Sequence, residues 1–177
     1  RTPGLQVVAV ETHVGGLIEH AARVVDAGLH LHLDKPAGES LPEFKRILDN
    51  ATAKQRLVKM GYVFRTNPAF EFMRRALKDG WLGEVFSIHA EMSKFLGDNE
   101  RKPMLPYSGG SMFELGGHLI DAVVDLMGKP DKVTPFPRRS RADGFADNML
   151  AVLEYPKATI TLRSALIEVE GGSRRQF

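Results

Sequence analysis

Three short apolar runs, residues 6–10 (QVVAV), 29–33 (LHLHL) and 57–63, are separated by two segments whose apolar residues recur at helical spacing. This alternation of strand and helix constrains the fold more than any other feature, because right-handed crossovers then place all three strands in one parallel sheet. The run 6–10 lacks polar alternation, the pattern of a strand buried on both faces. The first helix is expected over 17–27, with Leu17, Ile18, Ala21, Val24 and Val25 turned inward and Gly28 as its stop. The second opens on Ser40-Leu41-Pro42-Glu43, a capping box with proline in the first turn, and buries Leu41, Phe44, Ile47, Leu48 and Ala51. The unit reads as half of a doubly wound α/β domain. Ligands of such sheets collect at the carboxyl ends of the strands, which aligns Glu11-Thr12-His13, Asp34-Lys35-Pro36 and Phe64-Arg65-Thr66-Asn67 along one crevice.

The pattern changes after Asn67. Residues 68–78 form a helix begun by Pro68 and ended by Asp79-Gly80, with Phe72, Met73, Ala76 and Leu77 inside. Residues 84–95 alternate, with Phe86, Ile88, Ala90 and Met92 opposing Ser87, His89, Glu91 and Ser93. Such alternation predicts an antiparallel-sheet strand with one wet face. A polar loop of the length of 96–110 is often a binding loop. A helix over 111–127 follows, closed by Gly128 and Pro130, then strands at 149–155 and 158–165 joined through Pro156-Lys157. The second part is therefore α+β with a mostly antiparallel, open sheet. Both ends read as cut, since the parallel sheet has an uncovered edge and a further strand is expected after Gly171-Gly172.

Composition removes several classes. Against 22 Asp+Glu stand 24 Lys+Arg, a net charge of +2, which points to neither nucleic acid nor a membrane surface. The densest basic cluster, Arg138, Arg139 and Arg141, has no interleaved aromatics and reads as a solvated loop. With no cysteine there is no disulfide framework, thiolate nucleophile or thiolate zinc site. No apolar run reaches the ~20 residues of a membrane helix, and Arg1-Thr2-Pro3-Gly4 does not begin a secretory signal, so a soluble chain in the cytoplasm is expected.

Two places can carry chemistry. Lys35, between Asp34 and Pro36 at a strand end, could stabilise charge on a carbonyl or alkoxide oxygen, or could simply open a surface loop. On the helix 111–127, Glu114, His118, Asp121 and Asp125 share a face. A carboxylate one turn before a histidine can orient the ring and support its basicity, as a general base requires; a solvated polar face is the rival reading. Gly116-Gly117 weighs against the rival, because each interior glycine costs up to ~1 kcal/mol against alanine. Glu114 and His118 supply two metal ligands and no third is evident. His30 and His32 read as core or crevice-lining residues, His20 and His89 as ordinary surface ones.

These motifs converge on a known family. The segment Ala27-Gly28-Leu29-His30-Leu31-His32-Leu33-Asp34-Lys35-Pro36 resembles the A-G-K-H-V-x-x-E-K-P segment of the glucose-fructose oxidoreductase / inositol dehydrogenase / rhizopine-catabolism (Gfo/Idh/MocA) family. Residues 109–121 (GGSMFELGGHLID) resemble its G-G-x-x-x-D-x-G-x-H-x-x-D helix, and residues 62–70 (YVFRTNPAF) its strand-to-helix junction. The resemblance implies that residues 1–67 are the second half of a dinucleotide-binding, Rossmann-like domain. Residues 68–177 would be an incomplete substrate and oligomerisation domain. It further implies an oxidoreductase using NAD or NADP, a sugar or polyol substrate, and a homo-oligomer formed through the open sheet face. Lys35, His118 and Glu114 would be catalytic, with His118 moving the hydroxyl proton. Thr12, Asp34, Lys35 and Pro36 would contact the cofactor, and Lys35, Arg65, Glu114, His118 and Asp121 the substrate.

The chain also departs from the family. Asp34 and Glu114 exchange the family's usual carboxylates, and His13 and Leu17 replace its usual proline and histidine. Among 17 glycines no two are separated by one residue, so the G-x-G-x-x-G phosphate cradle is absent from this chain. A fragment of an oxidoreductase is the expectation. A non-catalytic sensor of the same fold and a glycosidase using NAD transiently are the alternatives.

Overall fold

The computed structural model describes residues 2–177, and Arg1, part of the amino-terminal reading, lies outside them. The chain divides into two compact units, one ending at Tyr62 and one spanning Val63–Phe177. The turn at 63–66 and Asn67 thus group with the second unit rather than the first.

In the first unit, strands β1 (Val7–Val10), β2 (His30–Leu33) and β3 (Val58–Met60) form a parallel sheet in that order. Helices α1 (Val14–Asp26) and α2 (Leu41–Ala53) are the crossovers. Gly28, at φ +76, ends α1, and the Leu29 and Gly28 amides donate to the carbonyls of Val24 and Val25. Ser40 caps α2 by accepting from the Glu43 amide at 3.4 Å. The helices lie side by side, with Asn50 Nδ2 donating to Asp26 Oδ1 at 2.8 Å and Lys54 Nζ to the Asp26 carbonyl at 2.9 Å.

The register shows why the expected two-sided burial fails. Val10, Leu31 and Leu33 are buried and Val8, Val58 and Met60 half-buried on the helix-bearing side. Between them Val7, Ala9, His32 and Lys59 are exposed. One face is covered and the other is bare, so the described unit has a single helix layer rather than the two of a doubly wound sheet. His32 accordingly lines no core, while His30 is half-buried and its Nδ1 accepts from the Leu57 amide at 2.9 Å. On α2 the inward stripe narrows to Ile47 and Ala51, half-buried Phe44 flanks it, and Leu41 and Leu48 face solvent.

The second unit is a four-stranded mixed sheet, β4 (Ser87–Glu91), β5 (Lys132–Arg138), β6 (Asn148–Glu154) and β7 (Thr159–Ala165), in the order β4-β7-β6-β5. Helices α3 (Pro68–Lys78), α4 (Asp98–Arg101) and α5 (Gly117–Met127) accompany it. β5–β6 and β6–β7 pair antiparallel, but β4 runs parallel to β7, against the antiparallel expectation. Its alternation is also partial, since Phe86 is 76% exposed and Ser93 fully buried. The stretch 96–110 is α4 followed by a 3₁₀ turn, Lys102–Met104, rather than a structureless loop. On α3 the buried aromatic is Phe70, stacked on Phe64 with centroids 4.2 Å apart, and Phe72 is exposed. Leu119, Val123, Ile160, Leu162 and Leu166 fill the core at 0–1% exposure. Burial of each such side chain contributes about 1.5–3 kcal/mol. Among the described residues no helix is long and apolar enough to cross a membrane.

An ionic group ties α4 to the loop before β6. Arg101 donates to Asp143 at 2.6 and 2.8 Å and to Asp147 at 2.8 Å. The Arg101 guanidinium lowers Asp143 from the ordinary 3.8 to about 2. Burial opposes charge on Asp147, yet the Ser140 hydroxyl and amide with Arg101 outweigh it and its pKa is also lowered. A carboxylate whose folded pKa is depressed stabilises the fold above its unfolded pKa, and that stability is lost as pH falls through the folded value. Stability is therefore expected to drop as pH falls from about 4 towards 2. In urea titrations across that range, Asp143→Asn should flatten the dependence; an unchanged pH profile would refute the assignment.

Candidate active site

Lys35 and its neighbours follow β2, and Thr12 follows β1. Val10 pairs with Leu33 in a parallel ladder, so both turns leave the same carboxyl end of the sheet. Ladder bonding continues past the strands, from the Asp34 amide to the Val10 carbonyl (2.9 Å) and from the Gly61 amide to the Leu33 carbonyl (2.8 Å). Asp34 and Lys35 are half-buried there, Pro36 is buried and Thr12 exposed. The Lys35–Pro36 peptide is cis. This is the strand-end position anticipated for Thr12, Asp34, Lys35 and Pro36.

In the second unit the expected helix 111–127 begins differently. Residues Met112–Gly116 wind as a π-helix and only from Gly117 does α5 run regularly. Two glycines make this possible. Gly110 sits at φ +53 with the Ala146 carbonyl where a side chain would stand, and a Cβ on Gly116 would collide with Met112 Sδ. Ser111 pins the start: its amide donates to the Ala146 carbonyl at 2.8 Å and its hydroxyl to the Ser164 carbonyl at 2.7 Å. The Ser164 hydroxyl returns a bond to the Ser111 carbonyl at 3.0 Å. Since a π turn closes over five residues instead of four, Glu114 and His118 are not one α turn apart, as regular spacing assumes.

Glu114 is half-buried on the π segment, and His118 is 7% exposed in the first turn of α5. Leu115 and Leu119, beside them in sequence, enter the core. The Phe64 ring lies 5.8 Å from the His118 ring at 60°, an apolar wall for the imidazole. Such a wall keeps water from that side of the imidazole.

Arg65 and Asp121 are brought together, though on each other. Arg65 Nε and Nη2 donate to the Asp121 carboxylate in three bonds of 2.8–3.1 Å. Asp125, on the same side of α5, accepts from Arg74 Nη1 at 2.7 Å and lies 3.6 Å from Arg65 Nη1. The π winding and the Arg65–Asp121 pairing escape the sequence reading. The signal for the first was the pair of double glycines, Gly109-Gly110 and Gly116-Gly117.

Residues 70–175 match the family model described as the GFO/IDH/MocA C-terminal domain. The uncharacterized oxidoreductase YhhX of Escherichia coli is 30% identical over 131 residues, 74% of this chain and 38% of that protein. The scyllo-inositol 2-dehydrogenase (NADP(+)) IolW of Bacillus subtilis is 24% identical over 179 residues, 99% of this chain and 50% of that protein. The chain thus spans half or less of the length of these relatives. Among solved structures, the inositol dehydrogenase homologue of Azotobacter vinelandii complexed with NADH and myo-inositol superposes with a TM-score of 0.86 at 21% identity. That likeness covers 95% of this chain and 46% of that one and extends the shared fold across both units. With more than half of its length matched by the family's own model, the chain belongs to the GFO/IDH/MocA family.

Proposed function

We propose that this chain supplies the substrate side of an NAD(P)-dependent oxidoreductase that moves a hydride between nicotinamide and a sugar, polyol or related hydroxyl compound. One observation carries the reading. The helix holding Glu114 and His118 abandons regular winding at that point and keeps the imidazole 7% exposed against an aromatic wall. Departures of this kind are frequent at functional sites. The names of IolW and of the Azotobacter complex support a polyol substrate and a nicotinamide nucleotide.

In oxidation His118 takes the hydroxyl proton, and in reduction it returns it. Glu114 orients the substrate or the ring. The Lys35 ammonium stabilises negative charge developing on the substrate oxygen. Bound nicotinamide supplies the hydride acceptor or donor. Thr12, Asp34, Lys35 and Pro36 would hold its ribose end, for which an exposed hydroxyl and two half-buried charged groups are suited. No G-x-G occurs in this chain, so it offers no glycine cradle for the pyrophosphate. The reading includes a cytoplasmic setting and pairing of copies through the outer face of the mixed sheet, the latter supported by Phe136 at 42% exposure.

Calorimetry should find feeble NAD(H) binding by the 177-residue chain; tight binding would overturn the argument from the missing cradle. Joined to a β-α-β segment carrying G-x-G-x-x-G and to further carboxyl-terminal strands, the chain is expected to reduce NAD or NADP with inositols or hexoses. Failure with both nucleotides across such a panel would reject the reading. In that protein Lys35→Met should lower kcat/KM by on the order of 3 kcal/mol while affecting NAD(H) affinity less.

A further inference from the structure

The second unit contains a four-residue ionic network whose purpose the reaction itself does not explain. Its members are Arg65 on the 3₁₀ turn Val63–Thr66, Arg74 on α3, and Asp121 and Asp125 on α5. Arg65 grips Asp121 through two nitrogens. Arg74 completes the network in both directions, donating through Nη1 to Asp125 at 2.7 Å and through Nη2 to the Arg65 carbonyl at 2.8 Å. The turn is therefore held twice, by the Arg65 side chain to α5 and by the Arg65 backbone to α3.

The residue before Arg65 is Phe64, whose ring stacks on Phe70 and stands against His118. Asp121 and Asp125 lie three and seven residues beyond His118, on its side of the same helix. A clasp between these points fixes the distance from aromatic wall to imidazole. Within it the Asp121 carboxylate is 9% exposed and accepts three bonds from Arg65.

We propose that Arg65 and Asp121, tied in by Arg74 and Asp125, are positioning residues that hold the Phe64 turn against the His118 ring, and that they act through His118 instead of touching substrate. The functional half of this statement rests on the reading of His118 as the proton-transfer group; the geometric half does not. The Arg65 side chain is 49% exposed, and solvent screens its pairing with Asp121, so the pair contributes little to stability. A bidentate arginine fork nevertheless sets geometry that a lysine point charge does not.

Nuclear magnetic resonance on the 177-residue chain tests the clasp through the Phe64–His118 ring cross-peak and the His118 ring resonances. Arg65→Gln and Asp121→Asn should each abolish the cross-peak and shift those resonances, and the double variant should do no more than either single one. Amide resonances of β6 and β7 should stay in place. Retention of the cross-peak in a folded single variant, or shifts that sum in the double variant, would overturn the proposal. Should both variants fail to fold, Arg65→Lys decides: it should weaken the cross-peak, and an unaltered one would overturn the proposal. Turnover of the restored enzyme is read separately. Loss of the ring contact in an enzyme whose wild type is inactive would refute the proton-transfer role and leave the clasp standing.

Discussion

In the oxidoreductase proposed above, His118→Asn is expected to lower kcat/KM by 10²–10⁴, the range a positioned general acid–base group supplies, with NAD(H) affinity unchanged. The loss should fall on kcat and kcat/KM together, because the proton moves only as the transition state forms. Asparagine retains the polar character and part of the volume of the imidazole, so the core around Leu115 and Leu119 should survive. The pH profile separates this from a packing defect. A base limb present in the wild type should vanish in the variant, and a variant that keeps both its rate and its limb would remove His118 from the mechanism.

Most of the fold was legible because periodicity is a local signal. The helix Pro68–Lys78 has its proline, its inner positions and its Asp79-Gly80 stop within one stretch of chain. Strand direction is not local. Alternation in 84–95 reads the same in a parallel or an antiparallel pair, and β4 reaches its partner β7 only after α5, β5 and β6 have intervened. β5 was missed because Pro135 and Pro137 argue against a strand. At a sheet edge they are tolerated, since residues two apart turn their missing N–H the same way, away from β6. The burial of β1 was overestimated for a related reason: a run such as QVVAV does not reveal whether a second helix layer covers Val7 and Ala9.

The positions of the candidate residues were legible and the winding around them was not. Lys35 at a strand end and His118 on a glycine-bearing helix could be named from position and from resemblance. That Met112–Gly116 would form a π turn depends on the Ala146 carbonyl lying over Gly110 and on the Ser111–Ser164 exchange, contacts between residues 36 and 53 positions apart. The fate of Arg65 and Asp121 was hidden likewise. Nothing local in the sequence links two charged residues 56 positions apart.

The same loop makes the expected outcome of Arg101→Leu severe. Arg101 is 3% exposed, and its guanidinium carbon lies 5.1 Å from the Phe145 ring centroid while its nitrogens bind Asp143 and Asp147. Asp147 is fully buried, and after the substitution its carboxylate would keep only the Ser140 amide and hydroxyl. Breaking a buried pair by removing one partner costs about 3–5 kcal/mol, a large part of a total stability of about 5–15 kcal/mol. In urea titrations Arg101→Leu should therefore lose several kcal/mol. Adding Asp147→Leu should restore part of that loss, because no charge is then left unpaired. A single variant within about 1 kcal/mol of wild type would show that solvent reaches Asp147 and that the pair carries no structural weight. The effect should also travel. Residue 147 follows Ala146, whose carbonyl receives the Ser111 amide and overlies Gly110. Loosening that loop releases the start of the π segment, so a folded Arg101→Leu protein should show altered Glu114 and His118 resonances.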